Sequence, residues 1–253
     1  MKALRDTWLV YSRAMKLNIK QPVWLVVMLV QPLYFLVFFA PLLNSLDGQR
    51  GFESGAMETF VPGLIIMMAL FGSTFVGFGL IAELRQGVIE RMRVTPVSRV
   101  ALLIGRTFAT VTTTLVQALI LVLLASPVGG LAIYWPGVFL MFGIIILTSF
   151  MLGALSYGVA IVLKSEDTLA PVLNTVVQPV MLLSGIMLPM ALAPSWLQSV
   201  ADFNPFYYAV EAARALFAGD LESNFIWQAA VFIGGLGVLL VIWASRKFAR
   251  AVA

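Results

Sequence analysis

Glu83, Arg85, Glu90, Arg91 and Arg93 alternate in sign within ELRQGVIERMRVTPVSR, residues 83–99, the densest run of ionisable side chains in the sequence. Carboxylates and guanidiniums at this spacing suit recognition: planar donors and charged acceptors presented to another protein. They do not suit acid–base catalysis at neutral pH. The chain has no His and no Cys. It therefore lacks the usual general base, thiol nucleophile and soft metal ligands. An intramembrane enzyme would need clustered carboxylates in their place, and the apolar stretches carry none.

The element that must hold these charges is a short helix. Leu84, Val88 and Met92 recur every four residues and give it one apolar ridge. Thr95-Pro96 ends it, because proline cannot continue a helix and biases the preceding residue toward extended backbone. Gly87 weakens its middle by about 1 kcal/mol relative to alanine. Such a helix needs an external surface to hold it. Bounded by apolar stretches on both sides, it is a rod through which force on one stretch reaches the other.

Those apolar stretches dominate the 253 residues, of which 61% are hydrophobic and only 11% charged. Soluble domains average about 25% charged, so the expected class is an all-α integral membrane protein. Six stretches approach the roughly 20 apolar residues that a hydrocarbon core requires: 22–44, 59–82, 100–125, 136–163, 168–190 and 225–245. Residues 191–224 are too polar and too interrupted by Pro194 and Pro205 to span. With the N-terminus inside, segments 1–21, 83–106, 164–167 and 246–253 carry a net +9, whereas the opposite loops carry −5. The positive-inside rule then places both termini in the cytoplasm of a multi-pass plasma-membrane protein, and nucleic acid is not an expected partner. Residues 1–20 lack the apolar core of a secretory leader. The same count shows that a basic 83–106 loop is ordinary, so its interest lies in the alternating pattern.

In residues 1–21, Leu4, Trp8, Tyr11, Met15 and Ile19 fall within an arc of about 80° at helical periodicity. Lys2, Arg5, Asp6, Arg13, Lys16 and Lys20 lie opposite. This predicts an interfacial amphipathic helix on membrane lipid, serving as a topology anchor or offering its basic face to a cytoplasmic partner. Arg106, about a turn inside the third span, is expected to snorkel back to the cytoplasmic face. Glu166 and Asp167 fill a short inside turn with Lys164, a second small contact surface or a solvated turn.

Polar side chains at membrane depth are tolerated where they face protein or a cavity. Ser73 and Thr74 in the second span, and Asn174, Gln178 and Ser184 in the fifth, therefore mark a substrate pathway or a subunit interface, to which Phe75, with Phe71 and Phe78, adds an aromatic wall for an apolar substrate. Ordinary helix packing uses the same residue types. Beyond Ser184, Pro189, Pro194 and Pro205 divide the chain into short pieces. Glu211 and Arg214, three apart on a helix, can pair there.

Two blocks together resemble a known family. The pattern from Glu83 through Val94-Thr95-Pro96-Val97-Ser98-Arg99 resembles the loop after the second span of type-2 ABC transporter permeases. LSGIMLPMALAPSWLQSVADFNPFYYAVEAARALFAGD, residues 183–220, is similar to the same family's C-terminal signature. The small size looks most like the bacterial daunorubicin-resistance and multidrug-efflux branch. Permeases for lipo-oligosaccharide or polysaccharide share the pattern. Val88 departs from it, since family members often carry Thr there. The resemblance implies that Glu83, Arg85, Gly87, Glu90, Arg91, Arg93, Thr95 and Pro96 form a coupling helix seated on an ATP-binding cassette subunit. It implies a second copy or a sister permease completing the transporter, and short re-entrant helices with Asn204, Pro205, Glu211 and Arg214 as an outer gate. This chain has no phosphate-binding Gly-x-x-x-x-Gly-Lys-Ser/Thr loop, so ATP and Mg belong to the partner subunit and no cofactor is expected here. The competing class is an ion-coupled secondary transporter or channel, which would show ionisable groups near the midplane.

Overall fold

The computed structural model describes residues 2–20, 22–43, 52, 55–85, 99–129, 131 and 133–251, and among them the regular structure is entirely helical. In chain order the helices are α1 (Lys2–Lys20), α2 (Pro22–Leu43), α3 (Ala56–Thr74), α4 (Gly77–Arg85), α5 (Arg99–Gly129), α6 (Trp135–Leu163) and α7 (Glu166–Leu182). A 3₁₀ turn (Met190–Leu192), α8 (Ser195–Ala201), α9 (Pro205–Phe217) and α10 (Asn224–Ala251) complete the chain. Among the described residues, five stretches can cross a membrane by length and composition: Val26–Leu43, Ala56–Ala82, Leu103–Pro127, Trp135–Leu163 and Asn224–Lys247.

Two expected spans are built differently. The stretch 59–82 is not one helix, because α3 stops at Thr74 and α4 starts at Gly77. The stretch 168–190 is helical only to Leu182, where the chain turns through Ser184 and Gly185, the latter at φ 76°. Its 17 residues rise about 26 Å, short of a hydrocarbon core of about 30 Å. Pro171 and Pro179 lie inside it, and Leu169, Leu173 and Val177 are its buried face.

Helix α6 is the central post. It packs along α10 and touches α3, α4, α5, α7 and α9. Glycines set these approaches. A Cβ on Gly158 would strike the Trp243 ring of α10, and one on Gly137 would strike the Leu216 carbonyl of α9. Helix α1 does not lie on lipid alone. It docks along α5, where a Cβ on Gly105 would come within 2.8 Å of the Thr7 carbonyl and 2.9 Å of Val10 Cβ. Tyr11 pairs with Thr112 at 3.4 Å, and Asn18 donates to Thr113 at 3.4 Å. Leu4, Trp8 and Ile19 remain exposed on its other face, free to meet lipid.

Among the described residues the buried apolar side chains form two bodies rather than one. The larger joins α2, α3, α9, the far half of α5, the first part of α6 and the start of α10, with Phe60, Leu64, Met141 and Leu216 at its centre. The smaller joins α4 to the ends of α5, α6, α7 and α10 through Leu80, Ile81, Leu103, Tyr157, Leu169 and Ala244.

Candidate functional site

The division between the two apolar bodies falls where α3 gives way to α4. No proline lies between Ser73 and Gly77. Phe75 nevertheless leaves the helix at φ −91°, ψ 3°, and Phe78 and Gly79 donate to carbonyls only three residues back, those of Phe75 and Val76. A break of this kind inside an apolar bundle must be satisfied locally. Ser156 of α6 does so with one hydroxyl, accepting from the Gly77 N–H at 2.9 Å and donating to the Thr74 carbonyl. The approach requires glycine, since a Cβ on Gly77 would lie 2.7 Å from both the Ser156 carbonyl and its hydroxyl.

The adjoining residues of α6 hold the remaining neighbours. A Cβ on Gly153 would sit 3.3 Å from the Thr107 methyl of α5. The buried Tyr157 hydroxyl lies beside the Arg106 guanidinium. Gly158 admits Trp243. Arg106 thus ends beside an α6 phenol, a neighbour that a span-by-span reading of the sequence does not reveal. Phe71, Phe75 and Phe78 form a ring series across the break, with centroids 6.3 and 5.9 Å apart. Ser156, Tyr157 and Gly158 were not among the expected site residues. The small-residue run Gly153, Ala154, Ser156, Gly158 in the fourth span was the signal that could have found them.

At the tip of α4, Arg85 lies 3.9 Å from Glu166 at the start of α7, and both side chains are substantially exposed. The alternating segment and the 164–167 turn therefore meet. Glu83 lies in α4. Gly87, Glu90, Arg91, Arg93, Thr95 and Pro96 lie outside the described residues.

The opposite end of α3 carries a second polar cluster, and here the expected residues come together. Asn204 caps α9 by accepting from the Phe206 N–H at 3.0 Å, with Pro205 at the first helical position where its missing N–H costs nothing. The same amide donates to the Val180 carbonyl at 2.7 Å. That carbonyl belongs to the last turn of α7, where Ser184 N–H turns instead to Met181. Arg214, nine-tenths buried, divides its guanidinium three ways: Nε to the Thr59 carbonyl at 3.0 Å, one terminal nitrogen to the Gly185 carbonyl at 2.6 Å, the other to Glu211 at 2.6 Å. One side chain thus ties α3, α9 and the turn after α7. Gly63 lets the Ile186 backbone approach beside it. Burial, and then the carboxylates of Glu211 and Asp202, push the neighbouring Tyr207 hydroxyl up to about 12, so it remains a neutral donor.

The residues expected along a pathway or interface divide into two sets. Ser73, Thr74 and Ser184 are buried within the bundle and Phe75 is half-buried. Ser73 is one of three buried hydroxyls without a hydrogen-bond partner among the described residues, with Thr148 and Ser149 of α6. Asn174 and Gln178 are exposed on the outer face of α7, with Thr175 between them.

Comparison with known proteins agrees with this architecture. A putative transport permease ycf38 of Cyanophora paradoxa is 24% identical over 227 residues, covering 88% of this chain and 78% of the relative. The daunorubicin resistance ABC transporter permease protein DrrB1 of Streptomyces coeruleorubidus is 24% identical over 205 residues, covering 78% of this chain and 70% of that protein. The probable doxorubicin resistance ABC transporter permease protein DrrC of Mycobacterium tuberculosis is 26% identical over 230 residues, covering 88% and 80%. The family model described as ABC-2 type transporter matches residues 5–218, and on that match the chain belongs to the ABC-2 type transporter family.

Proposed function

We propose that this permease is the membrane half of an ATP-driven exporter, carrying a hydrophobic or amphipathic substrate such as a drug, antibiotic or lipid-linked molecule out of the cytoplasm or inner leaflet. The observation that carries the reading is the path from α4 into the alternating segment that follows it. The helix is bonded to α6 at its base through Ser156 and meets α7 at its tip through Arg85 and Glu166. A soluble ATP-binding cassette subunit gripping residues 83–96 would push on α4 and, through it, on the bundle. ATP and Mg would be held by that subunit.

In this reading the chain crosses a bacterial plasma membrane six times with both termini in the cytoplasm, α7 and the turn after it forming the fifth, shorter crossing. Helices α8 and α9 re-enter from the outer side, and Asn204, Pro205, Glu211 and Arg214 close the outer mouth. The exposed polar face of α7 supports pairing with a second copy or a sister permease. Asn174 and Gln178 left in contact with hydrocarbon would be unsatisfied, whereas facing a partner or a shared wet pathway they are not. The apolar composition of the bundle favours a drug or lipid-like cargo, and an oligosaccharide would need more hydroxyl-binding side chains along that path.

The test is co-expression with candidate ATP-binding cassette subunits from the same genome, followed by reconstitution in liposomes. A stable complex whose ATPase rises with daunorubicin-like substrates is expected. A chain that purifies without any ATP-binding subunit, and that moves substrate in response to a proton or sodium gradient alone, would refute the reading.

A further inference from the structure

We propose that the break at Phe75–Val76 is the joint about which the second span bends during transport, and that Ser156 is the positioning residue that latches it. The proposal rests on the exporter reading above, and its test separates the two. Helix breaks forced by proline are permanent, but this one contains no proline. It persists because Ser156 serves both orphaned backbone groups, the Gly77 N–H and the Thr74 carbonyl. A continuous helix would satisfy the same groups internally, with Gly77 donating to Ser73 and Phe78 to Thr74, while the freed Ser156 hydroxyl turned to the Leu152 carbonyl four residues back. The Gly77 N–H, the Thr74 carbonyl and the Ser156 hydroxyl are bonded in both arrangements, so exchange between them strands none of these three groups, as a two-state element requires.

The packing agrees with a joint at this level. The smaller apolar body contains α4 and the near ends of α5, α6, α7 and α10, while α3 belongs wholly to the larger. On α6 the boundary between them falls between Leu152 and Tyr157, where Gly153, Ala154 and Ser156 are small. Beyond the joint α4 is a lever of nine residues, about 14 Å long. Its tip is held by an exposed ion pair at 3.9 Å, a contact of little strength, so the base is fixed firmly and the tip lightly. Rotation of about 20° at the joint would carry the tip about 5 Å, comparable to one helical turn.

The test uses the complex of this chain with its ATP-binding subunit and follows amide hydrogen exchange over Gly77–Arg85, with α9 as the internal reference. S156A removes the latch and S156C keeps its size while weakening its hydrogen bonds. S156A should speed exchange in α4 about tenfold, the effect of losing about one net hydrogen bond, with S156C intermediate and α9 unchanged. ATP plus vanadate should alter α4 exchange in the unsubstituted complex, and S156A should retain ATPase while losing substrate transport per ATP. Unchanged α4 exchange and unchanged transport in S156A would overturn the joint. So would equal acceleration in α9, which would mark general loosening. If nucleotide leaves α4 exchange untouched in the unsubstituted complex although S156A accelerates it, the coupling to ATP fails while the latch stands as a static one, and the proposed motion is overturned.

Discussion

Replacing Arg214 by alanine removes three bonds from a nearly dry site at once. The Gly185 carbonyl, in a turn with φ 76°, loses its guanidinium donor. The Thr59 carbonyl loses its bond to Nε, and Glu211 is left half-buried without its ion-pair partner. A buried group deprived of its partner costs about 1–3 kcal/mol, and breaking a buried ion pair about 3–5 kcal/mol. Thr59 keeps a helical neighbour and Glu211 retains some contact with water, so the lower part of the range applies: about 3–5 kcal/mol in all. At about 2–4 °C per kcal/mol for a chain of this size, Tm in detergent should fall by about 10 °C, read through intrinsic tryptophan fluorescence. R214K keeps the charge but reaches only one of the three acceptors and should lose about half as much. E211Q keeps an acceptor and should lose least. A double-mutant cycle on R214A and E211A should return a coupling of about 1–3 kcal/mol. If R214A melts within 2 °C of the unsubstituted chain, the guanidinium does not hold α3, α9 and the post-α7 turn together, and the outer-gate assignment loses its physical basis.

Asn204→Ala should cost about 1–2 kcal/mol by the same melt, combining loss of the α9 cap with an orphaned Val180 carbonyl. N204D should recover only the cap. Gly158→Ala drives a methyl into Trp243 and should abolish accumulation of folded protein, while Gly143→Ala, which meets nothing within 4 Å, should match or slightly raise Tm in the same expression and melting series. The double reversal E83K/E90K should leave the chain inserted but abolish export from cells. Normal co-purification with an ATP-binding subunit and full export in that variant would remove residues 83–96 from the coupling role.

Much of the helical framework was legible because long apolar runs end at clear signals. The apolar stretch 136–163 lies within the helix Trp135–Leu163, and the stretch 225–245 lies within the helix Asn224–Ala251. The Glu211–Arg214 pair follows from three-residue spacing, and the structure adds the cap made by Asn204 and the carbonyls that Asn204 and Arg214 serve. What was not legible depends on partners distant in sequence. The break after Thr74 has no local breaker and is sustained by Ser156, 79 positions beyond Gly77. The docking of α1 depends on Gly105 receiving Thr7 and Val10. The early end of α7 reflects a competition at Ser184 and Gly185 that hydropathy averages over.

Two separately packed apolar bodies also bear on how such a chain changes over generations. Substitutions that share no partners act nearly additively, whereas neighbours compensate or conflict. Residues around Phe60, Met141 and Leu216 can therefore be exchanged together without disturbing Leu80, Tyr157 and Leu169, and the reverse. Lineages could diversify one end of the molecule while preserving the other almost unchanged, with the few small residues of α6 between them as the shared constraint.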